Sequence, residues 1–469
     1  MKAKPRGNTQ QKPEVRKGEV VEIALSSLDD EGYGIGACGD RRIRILGGLP
    51  GERLLARIDH AGMRTVTGHA TKILAPSPDR INQIPCKHWP ACDACSLLHQ
   101  AYPAQLAWKQ KLVANQLRRH GELAQVVIRD ILPSPSQLAY RNSAKLVVGG
   151  KAANPVIGIY RRNSHDVLDL ADCPLHHPLI NRIVAAVKEG ISKGKVQVYN
   201  PASEMGLLRY LVVRVAEAEE RAMVVFVTSQ RNFNEIHHLG RFVQQAVPEV
   251  RSIWQNVNAS AGNVIFGHQS HLVAGDKTLT TTLDSRRYHL SPRSFFQVNS
   301  GGASLIYQQV RSWGALTGRE NVVDCYCGIG GIALTVAKEA GSVLGLEVVD
   351  AAVADARENA RLNGIRNCSF EAGDVGELLA DLREEGVHID LLILNPPRKG
   401  CEEQVLNEVA RLKPLRVIYV SCSPATLARD LAWLARNGYR PLEVQPVDMF
   451  PQTGHVENVA LLQRERSPA

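Results

Sequence analysis

The stretch "NVVDCYCGIGGIALTVAKEAG" at residues 321–341 decides how the carboxyl-terminal part of the chain is read. An apolar run rich in β-branched residues leads into a glycine-rich turn and then a helix-like segment. Gly328, Gly330 and Ala333 match the G-x-G-x-x-G/A spacing, in which glycines let the backbone come close to a ligand. The next apolar run, "SVLGLE", closes on Glu347, whose carboxylate is placed to accept hydrogen bonds from ribose hydroxyls. From about residue 300 onward, strand-like runs alternate with helix-like stretches, the pattern of a doubly wound α/β domain. The turn alone suits a nicotinamide dinucleotide and S-adenosylmethionine equally.

Two further strand ends separate these candidates. In "IDLLILNPPRKG" (389–400) a strand runs into Asn395, Pro396 and Pro397. The prolines stop the strand and hold the Asn side chain in one pose. A dehydrogenase has no need of this element, which recurs in S-adenosylmethionine-dependent methyltransferases. Amino-group methyltransferases usually place an aromatic residue after the prolines; here Arg398 follows. In "RVIYVSCSPAT" (416–426) a buried-looking strand carries Cys422 out at its carboxyl end, where open α/β sheets bind ligands. Carbon 5 of uracil is too weak a nucleophile to take a methyl group directly. A thiolate adding at carbon 6 activates it, and Cys422 is the obvious thiol; an inert strand cysteine is the alternative. The adduct must then lose its carbon 5 proton. Within "VDMFPQTGHVENVALLQR" (447–464), Glu457 is the candidate base and His455 its rival.

Composition bounds the rest. The 469 residues suggest about three domains. A net charge of +9 points to a polyanionic partner. No apolar stretch approaches the roughly 18 residues that would span a bilayer. Residues 1–17 are basic without an apolar core, and read as a disordered tail, not a secretory signal. The expectation is a cytoplasmic protein, monomeric by default and with no membrane partner. The ten cysteines are then metal ligands, catalytic thiols or core residues.

Residues 18–75 show short alternating strands and glycine turns, as in a small β-barrel. Residues 76–295 form a central domain that opens with a cysteine-bearing segment and a helical pattern ending at Gly121 and is strand-rich from 130 to 295; residues 296–469 form the α/β domain. Cys86, Cys92 and Cys95 cluster in "CKHWPACDACSLLHQ", and Cys173 stands apart in "LADCPLHH". Four thiolates hold either zinc or a cubane iron–sulfur cluster, and spacing does not decide between them. His88, His99, His176 or His177 could replace one thiolate in a zinc site.

Together "NPPRKG", "SCSPAT" and "FPQTGHVE" resemble the RNA 5-methyluridine (uracil-5-) methyltransferase family, in particular its 23S ribosomal RNA members with a TRAM domain and an iron–sulfur cluster. The resemblance covers nearly the whole chain. It implies a class I S-adenosylmethionine-dependent methyltransferase domain, Rossmann-like, behind an N-terminal β-barrel and a strand-rich central domain. It makes Cys422 the nucleophile and Glu457 the proton acceptor. Cofactor contacts fall on Gln297 in "SPRSFFQVN", Tyr326, Glu347 and Asn395. Cys86, Cys92, Cys95 and Cys173 match the ligands of a [4Fe-4S] cluster that pins an RNA-contacting segment. The barrel resembles an RNA-binding TRAM domain, with a basic patch at Arg41, Arg42 and Arg44, and Phe296 is placed to meet a flipped-out base. Many members have Asp at position 395 and "SCNP" in place of "SCSP". RNA 5-methylcytosine enzymes carry a second cysteine after the proline, where this chain has Pro397 or Arg398, and Cys401 lies too far on. Transfer-RNA methylation by the same mechanism, a dinucleotide enzyme and a non-catalytic RNA-binding protein are the competing readings.

Overall fold

The computed structural model describes residues 15–162, 164–260, 262 and 264–465. Of the basic tail expected over 1–17, residues 1–14 lie outside the described residues. Two compact units divide the chain: residues 1–107 with 452–454, and residues 108–451 with 455–469.

In the first unit, five strands close into a barrel in the order Val20–Leu28, Gly34–Cys38, Arg41–Leu46, Val66–Ala75, Arg53–Ala61. The alternation read in the sequence is the inward set: Ile23, Leu25, Ile43, Ile45, Leu54, Ala56 and Ile58 are buried. Gly36 permits a close strand crossing, because a Cβ there would stand 2.5 Å from the Ala24 carbonyl oxygen. Of the expected basic patch, Arg44 is paired to Asp29 and Glu31 and lies over the Tyr33 ring, while Arg41 donates to the Gly62 carbonyl. Only Arg42 of the three is exposed.

The second unit holds two large sheets. One has seven strands in the order Gln269–Gly275, Val250–Val257, Arg221–Thr228, Leu208–Ala216, Ser143–Lys151, Asn154–Tyr160, Val167–Asp169. Helices Pro178–Gly194 and Phe233–Ala246 cover one of its faces. Its other face, carrying Tyr210, Val212, Met223, Val225 and Val227, packs into the core of the α/β part.

The other sheet has eight strands: Cys368–Ala372, Ser342–Glu347, Asn321–Cys325, Leu391–Leu394, Arg416–Ser421, Glu457–Arg464, Tyr439–Val447, Val127–Ile128. The first five are parallel, and Glu457–Arg464 enters antiparallel to Arg416–Ser421. Alternate residues feed two cores. Val322, Val343, Ile393 and Val420 face one, with helix Ser300–Gly314; Val323, Leu346, Leu394 and Tyr419 face the other, with helices Val375–Glu384, Glu403–Leu412 and Pro424–Arg436. This is the doubly wound arrangement expected from residue 300 onward. Strand order reverses between Asn321–Cys325 and Leu391–Leu394, which opens a crevice at their carboxyl ends.

A fully buried ion pair ties the start of this unit to its end: Lys109 Nζ donates to Asp448 Oδ1 at 2.6 Å and to the Phe450 carbonyl at 3.0 Å. Removing one partner strands the other charge away from water. Lys109→Met should therefore cost about 3–5 kcal/mol. Lys109→Met/Asp448→Leu should recover most of that loss in denaturant unfolding, where a double variant as weak as the single one contradicts the assignment.

Candidate active site

The crevice is built from the glycine turn upward. Tyr326, Gly328 and Gly330 all take positive φ, at 62°, 56° and 85°. At Gly330 a Cβ would also press to 3.0 Å from Phe370 Cζ, so glycine is needed there twice over. Ala333, the third position of the motif, donates its N–H to Asp324 Oδ2 at 2.8 Å. Asp324 is fully buried, and its Oδ1 has no hydrogen-bond partner. Burial pushes its carboxyl up to about 7, the Ala333 N–H opposes this and Glu347 adds to it.

Asp324 lines a pocket together with Gln297, Tyr326, Asn395 and the rings of Phe295 and Phe296. Three of the four residues expected to bind the cofactor therefore converge on one cavity. Glu347 stands apart from that lining. Its Oε2 accepts from the Gly328 N–H at 3.1 Å and its Oε1 from the Val349 N–H at 3.0 Å, so it braces the turn. A carboxylate oxygen accepts more than one bond, so the brace leaves room for a ribose hydroxyl.

Asn395 begins a loop that runs from this pocket to the thiol. The Thr426 hydroxyl donates to the Arg398 carbonyl at 3.2 Å, and the Cys401 N–H donates to Asp430 Oδ2 at 2.9 Å. Asp430 also takes the Tyr419 hydroxyl at 2.5 Å, all of it buried. Gly400, at φ 79°, fits against Asp430 Oδ2, which a Cβ would approach to 2.6 Å. Past this anchor the Arg398 guanidinium reaches His455 Nε2 at 3.5 Å.

Cys422 is half-buried in the turn between strand Arg416–Ser421 and helix Pro424–Arg436. Ser423 caps the helix by accepting the Thr426 N–H, and Pro424 starts it without a wasted donor. That explains why the strand turns at a proline. The ladder pairs Val420 with Val459 and Ser421 with Asn458, so one step further Cys422 comes abreast of Glu457. Glu457 is buried, 8% exposed, and burial pushes its carboxyl up to about 7 while Arg398 pulls it down. Burial, and then Glu457, raise the Cys422 thiol; Arg398 opposes both. Arg398 thus faces both groups, a role hidden by reading it only as the absence of an aromatic residue. Phe296 packs beside Tyr288, ring centroids 5.4 Å apart, whereas Phe295 is 66% exposed.

Cys86 and Cys92 are half-buried and Cys95 is buried in the first unit; Cys173 is half-buried in the second. Cysteine sulfur is the donor a soft metal centre takes, so the chemistry of these four side chains suits one. Among the described residues, no three His, Cys, Asp or Glu side chains are gathered as a metal site. His99 is buried against Trp89, and burial together with Arg80 brings its pKa down to about 3.

The sequence model of a family described as tRNA (Uracil-5-)-methyltransferase matches residues 270–465. The chain is 57% identical over 450 residues to an uncharacterized RNA methyltransferase of Geobacter sulfurreducens, covering 96% of this chain and 91% of that protein. An uncharacterized RNA methyltransferase of Halalkalibacterium halodurans is 37% identical, over 97% of this chain and 99% of its own. Among solved structures, the tRNA (uracil-54, C5)-methyltransferase of Pyrococcus abyssi in complex with S-adenosyl-L-homocysteine superposes with a TM-score of 0.76 at 28% identity. It covers 94% of this chain and 99% of its own.

The environment of Glu457 has a measurable consequence. Its folded carboxyl titrates at about 7, against about 4.3 when unfolded. Between those values the folded state keeps a proton that the unfolded state has lost. Stability from this group is therefore present at low pH and falls as pH rises through about 7. Glu457→Gln should reduce that fall in unfolding curves, leaving the share that Asp324 contributes over the same range, and Arg398→Ala should move the Glu457 midpoint higher. A midpoint that stays put or drops in Arg398→Ala contradicts the assigned geometry.

Proposed function

The chain belongs to the RNA (uracil-5-)-methyltransferase family, and we propose that it methylates carbon 5 of a uridine through a covalent adduct at Cys422 that Glu457 resolves. It is an S-adenosylmethionine-dependent methyltransferase of class I fold, an enzyme of EC class 2.1.1 that acts on RNA. The observation that carries the mechanism is the register that sets Cys422 abreast of buried Glu457, with Arg398 facing both.

S-adenosylmethionine, when bound, supplies the methyl group. Gln297, Tyr326 and Asn395 would hold it in the pocket, with Glu347 bracing the turn beneath. The Cys422 thiolate adds to carbon 6 of the base, which leaves carbon 5 nucleophilic enough to take the methyl group. Glu457 then receives the carbon 5 proton, the carbon 5–carbon 6 double bond re-forms, and the thiolate leaves. Phe296 or its more exposed neighbour Phe295, both in the pocket lining, would offer a ring to the flipped base.

The target we propose is 23S ribosomal RNA, from the likeness of the motifs to the ribosomal members. Transfer RNA is the second reading, favoured by one observation: the Pyrococcus abyssi tRNA enzyme matches nearly the whole chain. We propose that Cys86, Cys92, Cys95 and Cys173 hold a [4Fe-4S] cluster with a structural role. Its support is the closeness of Cys86, Cys92 and Cys95 in the sequence and the resemblance of the four to cluster ligands. A cytoplasmic location and a monomeric state complete the reading.

Methyl transfer from labelled S-adenosylmethionine to unmodified 23S ribosomal RNA, and separately to transfer RNA, tests both target and product. Label only in transfer RNA would overturn the ribosomal target. Cys422→Ala should abolish transfer while cofactor binding persists, and Glu457→Gln should accumulate a protein–RNA adduct; an active Cys422→Ala rules out the covalent route. Anaerobically purified protein should contain iron and sulfide with visible charge-transfer absorption, both lost in Cys92→Ser. Iron-free, colourless wild-type protein prepared this way defeats the cluster.

A further inference from the structure

Two cations of the second unit stand close together near the pocket. Lys145 lies on strand Ser143–Lys151 and Arg214 on strand Leu208–Ala216. The ladder pairs Lys145 with Val212 and Ser143 with Arg214, which makes the two cations diagonal neighbours on one face. At that spacing their Cβ atoms are about 7–8 Å apart. Arg214 is only 7% exposed, and its Nε is buried without a hydrogen-bond partner. Burial brings the guanidinium down to about 10, although Asp355 pulls the other way. That carboxylate is itself engaged by the Ser291 hydroxyl at 2.7 Å. Lys145 is lowered by burial and then by Arg214, and its ammonium lies 5.7 Å from the centre of the Phe266 ring. Among the described residues neither side chain forms an ion pair.

Lys145 is exposed while Arg214 beside it is buried, and a buried cation with one carboxylate in reach costs free energy that a bound anion would return. Their position says which anion. Asn142, next to Ser143, donates to the Gln297 carbonyl at 3.1 Å and to the Ser300 hydroxyl at 3.0 Å. The pair therefore sits beside the segment 291–297, which carries exposed Phe295 into the pocket. Cations interleaved with aromatic rings suit a nucleic-acid strand, whose phosphates need charge and whose bases need faces. A cleft elsewhere on the same sheet, lined by Tyr160, Tyr199 and Arg209, lacks this surplus. There Arg209 is spent on the carbonyls of Asn258 and Ser260.

We propose that Lys145 and Arg214 together hold a backbone phosphate of the RNA substrate, next to the base delivered to the pocket. The inference rests on the RNA substrate of the preceding reading. It assigns these residues to positioning the strand, with no part in the methyl transfer itself.

The test is steady-state methylation of the RNA that wild type accepts, measured against salt concentration in wild type, Lys145→Gln and Lys145→Arg. Lys145→Gln should raise the KM for RNA about 3- to 10-fold and reduce the slope of log KM against log salt by about one. Lys145→Arg should restore most of both. S-adenosylmethionine affinity, read by calorimetry, should not move. If Lys145→Gln leaves KM and slope unchanged, the phosphate site is wrong while the methyltransferase reading stands. If it weakens S-adenosylmethionine instead, the anion is the cofactor's carboxylate and the proposal is likewise overturned. A wild type that methylates no RNA removes the preceding reading and this one together.

Discussion

The antiparallel pairing of Arg416–Ser421 with Glu457–Arg464 is the constraint on which the site depends. Side chains on a strand alternate faces with a period of two, so a slip of one residue would turn Glu457 away from Cys422. The slip is prevented from below. Val417, Ile418, Val420, Val459, Ala460 and Leu462 are all buried, and a slip of one residue would carry each to the opposite core. Burial of ordinary aliphatic side chains thus positions the two groups that the proposed route at carbon 5 and carbon 6 of one base would use.

The same economy sets the electrostatics. Glu457 lies where water cannot solvate its charge, and Arg398 offsets only part of that cost. Arg398 is held in turn by its own backbone, through Thr426 and through the Cys401–Asp430–Tyr419 knot beneath the loop. The glycine at 400 is what lets the loop lie against that carboxylate. A chain of packing contacts therefore runs from the helix Pro424–Arg436 to the charge balance between the thiol and the acid.

How much of this was legible in the sequence follows from how local each feature is. The strand–turn–helix at 321–341 and the helix start at Ser423-Pro424 are written in neighbouring residues, and the structure has both. The alternation that builds the barrel and the doubly wound sheet was equally readable. Arg398 was visible only as a departure, because its meaning lies in Glu457, 59 positions away, and in a register no local pattern encodes. Lys109 and Asp448 are 339 residues apart, and "AWKQKL" reads as an ordinary helix face. Phe295 and Phe296 sit in a segment without periodicity, so nothing in their order said which ring would be exposed. Asp324 was hidden for another reason: a strand residue ahead of a glycine turn looks like a cap until its second oxygen is found without a partner.

The coupling between Cys422 and Glu457 bears on how one site would run the two opposed steps of the proposed route. An ionised Glu457 raises the thiol, so the thiolate forms more readily while the carboxyl keeps its proton. A value of about 7 for Glu457 leaves both states within reach near neutrality. Once the sulfur is bonded to carbon 6 it carries no charge, and burial and Arg398 are left to set the balance at Glu457. The carboxylate would then form next to Arg398 by giving its proton to solvent, at the stage when the proposed route needs a base. On this reading the acid and the thiol take turns holding one negative charge that Arg398 stabilises, and the order of those turns is the order of the reaction.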